Sequence, residues 1–435
     1  MPKLIIANAY ELYEFNILSL TPDQINAMYF YNLRFLWLLE PGDAILLPKN
    51  PNKDFLTYFA NIKNIDLSSL HLVILNDNHP VVCSAALSNP NLIAQLKTIM
   101  SNPSAWHIEA CYFNSKVLAL SEKLHLTINS AWKKFIAEDL VRTANSKVEF
   151  RKVAERLSIP IAEGSICLTQ ESLIASIKEL LKITGQVIIK QNYNTSGKGN
   201  IGVTFSEEQQ FVGVAKTMIL NADSSIDELA TQIWAAYINS YNTLLILEVY
   251  YPNKGTFTAQ LWIGSQGEEP EVLNFSEIRM QKNWIGVLLA PHLLSSDNIN
   301  ELLACSKHLA KNLQMQGYRG YICCDAILTK EDKILFTEMN ARPGGETNAY
   351  ILARQIFGKG YENKMVVLTY DGLKTTSFIE IYKKLKAENL LLNKINNTGV
   401  VLLTVDDVYT KQLEYLVAAP NLEKAYALEK KVNTL

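Results

Sequence analysis

The residues best suited to chemistry lie between positions 317 and 346, in the stretch GYRGYICCDAILTKEDKILFTEMNARPGGE. Its patterning predicts two strands, 321–328 and 333–340, joined by a turn at Glu331-Asp332. Side chains alternate between faces along a strand, so Glu338 and Asn340 share one face, and Asp325 shares a face with Tyr321 and Cys323. A two-residue turn with Lys330 opposite Lys333 sets Asp325 directly across from Glu338. The two carboxylates then stand about 5 Å apart. Like charges so placed destabilise a sheet, and burying them unpaired costs more. A hard divalent cation removes the conflict, because magnesium takes oxygen ligands from one or two carboxylates and completes its shell with substrate phosphates. Asn340 would add a neutral carbonyl oxygen, and Arg342 a planar guanidinium matched to phosphate or carboxylate. A solvated acidic hairpin edge with an arginine salt bridge has the same sequence pattern, and the hairpin alone does not separate the two.

Elements elsewhere in the chain must position these groups. At 435 residues, 48% hydrophobic and 19% charged, the chain reads as a soluble globular protein of two or three domains. A net charge of −2 gives no electrostatic case for nucleic acid or a membrane surface. Glu11 and Glu14 stand where a signal peptide would stay apolar, and no apolar run approaches the ~18 residues of a membrane span. The six cysteines (Cys83, Cys111, Cys167, Cys305, Cys323 and Cys324) show no CxxC spacing. Metal clusters and a disulfide framework are therefore not expected, and a cytoplasmic setting is.

Residues 1–130 read as an α/β unit. An apolar run at 4–7 precedes a helix over 25–39, patterned by Ile25, Met28, Tyr29, Leu33, Leu36 and Trp37. Pro41-Gly42-Asp43 stops it; a strand at 44–48, a helix at 54–62 and an apolar run at 72–75 continue the alternation, which predicts a small parallel sheet. Without G-x-G-x-x-G it is not a dinucleotide site. His79, Cys83 and His107 are too scattered to act together and read as structural residues.

Ser146 and Glu149 form a capping-box pattern ahead of the stripe Phe150, Val153, Ala154 and Leu157, and Ile159-Pro160 ends that helix. Lys147 sits in the first turn, where the helix dipole disfavours a cation, so it is either solvated or bent toward an anion. A helix at 171–183 leads to a strand at 186–190, the loop QNYNTSGKGN at 191–200 and a strand at 201–205. A small glycine-bearing loop can close its N–H groups on phosphate, although a plain hairpin loop looks alike. A P-loop runs strand to helix and ends GK[ST]; this one runs strand to strand and reads GKGN. Residues 244–251 form an apolar strand carrying Glu248, with a return strand at 256–263; such a slot with one carboxylate suits an adenine ring, and an edge strand reads the same. Arg279 and His292 lie in an irregular stretch, 275–292. Helices at 297–313 and 350–357 flank the hairpin, and the tail holds a strand at 399–404 and helices at 410–418 and 422–432.

Lys147, the strand to Lys190 with its SGKG loop, Glu248, Asp325, Glu338 and Asn340, in that order, resemble the ATP-grasp superfamily over residues 135–360, with LFTEMNARPGGE the most specific segment. The resemblance implies an α+β fold, in which an α/β N-terminal domain precedes two α+β subdomains that clamp ATP. It implies that Lys147 and Lys190 contact the phosphates, and that the loop 194–199, with Ser196, Gly197, Lys198 and Gly199, is a lid. Glu248, followed by Val249 and Tyr250, would read the adenine amino group. Asp325, Glu338 and Asn340 would hold magnesium, or manganese in its place. Arg342 would stand beside the transferred phosphoryl group together with Lys190, and Arg279 is a further candidate for substrate or phosphate contact. The segment LRFLWLLEPGDAILLP, the NSK helix and the tail GVVLLTVDDVYTKQ further resemble the peptide ligases of pheganomycin biosynthesis, which carry a pre-ATP-grasp domain. That implies a pre-ATP-grasp domain at 1–130, an ATP-grasp domain at 131–370 (131–185, a lid at 186–247, a catalytic part at 248–370) and a tail at 371–435 packed on the core.

The function so implied is an ATP-dependent carboxylate–amine ligase. A carboxylate attacks the γ-phosphate, and an amine captures the acyl phosphate to give an amide or peptide bond with release of ADP and phosphate. Its partners would be a small-molecule acid and amine, amino acid or peptide, with no nucleic acid or membrane, and a homodimer is expected. An ATP-grasp carboxylase or nucleotide-pathway ligase shares the core; relatives with an early glycine-rich loop are disfavoured, since residues 1–40 hold no glycine. A non-catalytic nucleotide-binding protein is the remaining alternative. The acid and amine pockets fall to the first unit, the loop near Arg279 and residues 342–350, where no side-chain code is legible.

Overall fold

Four-residue apolar runs are too short for helices but suffice for strands buried on both faces, as in the two central strands of the first sheet, which two less buried strands flank. β1 (Lys3–Ile6), β2 (Ala44–Leu47), β3 (His71–Ile74) and β4 (His107–Ala110) pair in parallel in the order β3-β2-β1-β4. The computed structural model describes all residues except 10, 12–20, 76–80, 195, 196, 198, 210, 222–224, 240, 241, 282, 283 and 376. His79 therefore lies outside the described residues. The single helix expected over 25–39 is two elements: an α-helix, Pro22–Asn32, begun by a Thr21–Gln24 capping box, and a 3₁₀ turn, Leu33–Leu38. That turn buries Leu33, Phe35, Leu36, Trp37 and Leu38, more side chains than one face of an α-helix can present.

A second, five-stranded sheet is built from β5 (Gly164–Cys167), β6 (Gln186–Gln191), β7 (Asn200–Thr204), β8 (Lys216–Ile219) and β9 (Leu245–Val249), in the order β5-β9-β6-β7-β8. Helices Gln170–Thr184 and Ile226–Tyr237 cover it through Leu173, Ile177, Leu229 and Ile233.

The third sheet has eight strands: β10 (Asn253–Ile263), β11 (Glu271–Met280), β12 (Trp284–Leu289), β13 (Gly320–Thr329), β14 (Ile334–Asn340), β15 (Val366–Lys374), β16 (Gly399–Asp406) and β17 (Gln412–Ala419), ordered β14-β13-β10-β11-β12-β15-β17-β16. Two expectations are corrected here. The stretch 275–292 is largely strand rather than irregular, and 410–418 is strand rather than helix. In β17 every residue after Gln412 is buried, so its apolar run reflects a strand covered on both faces and not helical periodicity. The tail thus extends the third sheet. Trp37 ties the first unit to it, fully buried with its indole N–H donating to the Leu403 carbonyl at 2.5 Å and its ring 5.0 Å from that of Phe59. On the other side of the sheet, the helix Ser296–Gln316 packs Leu302, Leu309 and Leu313 against Ile322, Cys324 and Ala326.

Candidate active site

The register of β13 and β14 brings Asp325 opposite Glu338 and Cys323 opposite Asn340. The route to that register differs from the expected one. The Thr329 N–H donates to the Lys333 carbonyl at 2.9 Å, so the loop holds three residues, 330–332, with Asp332 in the left-handed region at φ 61°. Near the loop Leu328 pairs with Ile334 and Ala326 with Phe336; continued, that register would face Asp325 with Thr337. A bulge between Asp325 and Ala326 inserts Thr337 as an extra residue and restores the pairing with Glu338. It also breaks the alternation, so that Phe336 enters the core at 1% exposure while Thr337 and Glu338 both line the cleft. The Thr337 hydroxyl donates to the Asp325 carbonyl at 3.2 Å, and its carbonyl accepts from Lys190 Nζ at 3.4 Å.

Around this pair the charges interlock. Lys147 Nζ lies 2.9 Å from Glu338 Oε2 and donates to the Asn194 carbonyl at 2.9 Å. Its place in the first turn is therefore explained by an anion, and Ser146 caps the Glu149 N–H as expected. Asn340 Nδ2 donates to Asp325 Oδ2 at 3.3 Å and to Glu338 Oε1 at 3.2 Å, while its Oδ1 accepts from Arg342 at 2.9 Å. Burial, followed by the facing Glu338 charge, pushes the Asp325 carboxyl well above the usual carboxylate range. Burial raises Glu338 too, but the Lys147 ammonium outweighs it and holds Glu338 below its ordinary value. Two converging carboxylates are a hard oxygen donor pair whose mutual repulsion a divalent cation relieves, so Asp325 and Glu338 fit magnesium; Asn340, which turns Nδ2 to them and Oδ1 to Arg342, adds an oxygen only if its amide rotates.

These groups line one cleft of about 320 Å³, which reaches from the second sheet across to the first unit. Ile188, Val249, Tyr250, Ile327 and Leu335 give it an apolar section of the kind an adenine ring needs. Glu248 lines it as well, but its carboxylate is already engaged, Oε2 at 2.6 Å from Lys190 Nζ and Oε1 at 3.2 Å from Arg151. The carboxylate expected to read adenine is thus held in ion pairs with Lys190 and Arg151 at the edge of this apolar section. Of the expected lid residues, Gly197 lines the cleft at φ 73°, where a Cβ would come within 2.5 Å of the Gly213 carbonyl. Gly199 packs behind it against Gln191 and Asn194, and Ser196 and Lys198 lie outside the described residues. Tyr250 bridges the sheet to the segment facing Gly197: its hydroxyl accepts from the Val212 N–H at 3.1 Å and its ring lies 4.5 Å from that of Phe211.

Arg279 is a correction. It does not line the cleft; Glu429 holds its guanidinium bidentately at 2.7 and 2.9 Å, and the Thr369 carbonyl accepts from it at 2.7 Å. Its task is to pin the helix Leu422–Val432 to the sheet. Cys83 and His107 also lie outside the cleft. Conversely, Arg151, Arg34, Trp284, Glu346 and Asn348 were not singled out from sequence. Arg151 could have been, standing one helical turn after Lys147 on the same face. The others come from distant segments.

Residues 32–126 match the pre-ATP-grasp domain family. Among curated proteins none matches the sequence. Solved structures do match along nearly the whole chain. The ADP complex of N5-carboxyaminoimidazole ribonucleotide synthetase (PurK) is 16% identical, with a TM-score of 0.58, covering 99% of this chain and 95% of that one. Biotin carboxylase from Campylobacter jejuni, in a β,γ-ATP complex, is 13% identical with a TM-score of 0.58, over 99% and 90%. L-amino acid ligase from Bacillus licheniformis is 11% identical with a TM-score of 0.52, over 100% and 97%. The three sheets, the cleft between them and these likenesses agree on one architecture: the chain has an α+β fold shared along nearly its whole length with these solved enzymes, and its residues 32–126 match the pre-ATP-grasp domain family.

Proposed function

We propose that the protein is an ATP-dependent carboxylate–amine ligase that makes an amide or peptide bond through an acyl phosphate, with ATP as co-substrate and magnesium as its metal. The observation that carries this reading is the convergence of Asp325, Glu338, Asn340, Lys147, Lys190 and Arg342 on one cleft. The nucleotide complexes of the synthetase and the carboxylase support the choice of ATP, and the amino acid ligase supports the choice of reaction.

In this reading Lys147 and Lys190 face the phosphates, each already held by a carboxylate that fixes its position. Held by Asp325, Glu338 and Asn340, magnesium would neutralise charge on the phosphate oxygens. Arg342, oriented by Asn340, holds the substrate carboxylate toward the phosphate. No acid–base cluster is required, since phosphorylation makes the carboxylate oxygen a leaving group that the amine expels. The division of the chain into 1–130, 131–370 and 371–435, a cytoplasmic setting and a homodimer belong to the same reading.

The test is ADP release from the purified protein with ATP and magnesium, screened against amino acids and dipeptides singly and in pairs, and against bicarbonate. Release that requires both an acid and an amine, with an amide detected by mass spectrometry, supports the ligase. Release that requires bicarbonate instead establishes a carboxylase, and ATP binding without release for any combination establishes a nucleotide-binding protein.

A further inference from the structure

Beyond the carboxylate pair, the cleft is walled by residues that the chemistry above does not use. The helix Thr347–Phe357 begins there, and its N-cap residue, Glu346, makes no side-chain cap hydrogen bond. In the first turn Asn348 lines the cleft at 2% exposure, and neither Nδ2 nor Oδ1 has a hydrogen-bond partner. A buried amide left in this way forfeits the hydrogen bonds that water gave it, and the helix N-terminus beside it adds a positive potential. Facing them, the Arg34 guanidinium lies between the rings of Tyr31 and Trp284, 4.8 and 4.9 Å from their centroids, and Trp284 in turn abuts Gly345. Glu414 accepts from Arg34 Nε at 2.8 Å and Asp371 from one terminal nitrogen at 3.2 Å, so the other terminal nitrogen is the one those carboxylates do not take. Between the two cations, Arg34 and Arg342, lies the Glu346 carboxylate, buried and accepting the Cys323 thiol at 3.1 Å. Ala9, Phe35 and Leu38 complete this end with apolar surface.

We propose that this end of the cleft binds the amine-donating substrate as a zwitterion, a free amino acid with a small or medium apolar side chain. Its carboxylate meets the Asn348 amide, the helix N-terminus and Arg34; its ammonium meets Glu346; its side chain rests on Ala9, Phe35 and Leu38. A buried polar site discriminates strongly against an analogue that leaves its groups unpaired, so Asn348 and Arg34 are specificity residues and not catalytic ones. The assignment rests on the ligase reading, and its test is kept separate from turnover.

Titration calorimetry on the intact protein, with magnesium and a non-hydrolysable ATP analogue present, would compare L-alanine, L-leucine and L-methionine with their carboxamides and with the corresponding decarboxylated amines. At least one amino acid should bind about tenfold or more tightly than both of its analogues. Asn348→Asp, which sets a negative charge where the carboxylate belongs, should abolish that preference, and Asn348→Ala should weaken the amino acid by about tenfold. Because removing Arg34 strands Glu414 and Asp371, Arg34→Lys is the second variant, and it should lower the same preference while the affinity for the ATP analogue verifies folding. Equal binding of acid and amide, no binding of any of the nine probes to wild type, or a preference untouched by Asn348→Asp would overturn the proposal. An amide product formed without preference for a carboxylate-bearing amine sinks this inference alone; zwitterion binding without product from any acid sinks the ligase reading alone.

Discussion

Replacing Glu338 by Gln removes one formal charge from the carboxylate pair and almost nothing else. Glutamine keeps the shape and an oxygen that can accept from Lys147 Nζ, now 2.9 Å from the carboxylate. It loses the ion pair with Lys147, but it also removes the charge that raises Asp325, and like charges opposed across a sheet cost roughly 0.2–1 kcal/mol. The two effects oppose one another, and Glu338 is more exposed than Glu248, so the melting temperature should fall less than in Glu248→Gln. Turnover should behave otherwise. One of the two anionic ligands of the proposed magnesium site disappears, and losing one preorganised electrostatic partner costs about 10²–10³ in kcat, ~2.7–4 kcal/mol. The assay is ADP release with the acid and amine found by the screen, at saturating ATP, over a magnesium titration, beside a thermal melt of the same preparation. The expected result is a loss of at least about 10² in rate and a magnesium requirement shifted to higher concentration. Near-normal turnover with an unchanged magnesium curve would refute the metal assignment, and a collapsed melting curve would show that Glu338 serves the fold.

Glu248→Gln leaves Lys190 and Arg151 buried without their shared carboxylate and should destabilise the protein by about 3–5 kcal/mol, a loss readable by denaturant titration that a surface acid such as Glu179 would not produce. Trp37→Ala should cost about 3–5 kcal/mol by the same measurement, because the cavity opens between the first unit and the tail, where neither side can collapse alone. The Glu414 carboxyl is raised by burial from its ordinary 4.5 to about 7, although Arg34 pulls against the shift and Asp371 adds to it. A raised acid binds its proton more tightly in the folded state, so the stability it contributes is complete below pH 4.5 and is lost as the pH rises through 7; Glu414→Gln should flatten that part of the stability–pH profile, and an unchanged slope would contradict the assignment.

Much of this was legible in the residues, and the exceptions have physical reasons. The parallel first sheet, the glycine loop between β6 and β7 and the Asp325–Glu338 pairing followed from alternation and turn chemistry. That last pairing was reached through two offsetting departures, since a three-residue loop and a bulge shift the register by equal and opposite amounts, and Thr337 carries no propensity that would announce a bulge. The tail misled because a strand buried on both faces has no period, and QLEYLVAA fits helix and strand alike. Arg279 looked functional as an isolated cation, but its partner, Glu429, is 150 residues away. Arg34 and Asn348 stayed hidden for the complementary reason: the neighbours of Arg34 come from β12, β15 and β17, and what marks Asn348 is a buried amide without a partner.

The bond between Arg34 and Glu414 has a consequence in time as well as space. A ribosome makes Arg34 380 residues before Glu414, so the wall of the cleft that Arg34 forms is not fully braced until β17 has been made. Until β17 emerges and inserts between β15 and β16, the apolar surface around Trp37 lacks part of its cover and the guanidinium has only Asp371 of its two carboxylates. Synthesis of β17 is thus the event that assembles this side of the cleft, and a nascent protein stalled before β17 would carry its carboxylate hairpin facing an unfinished wall.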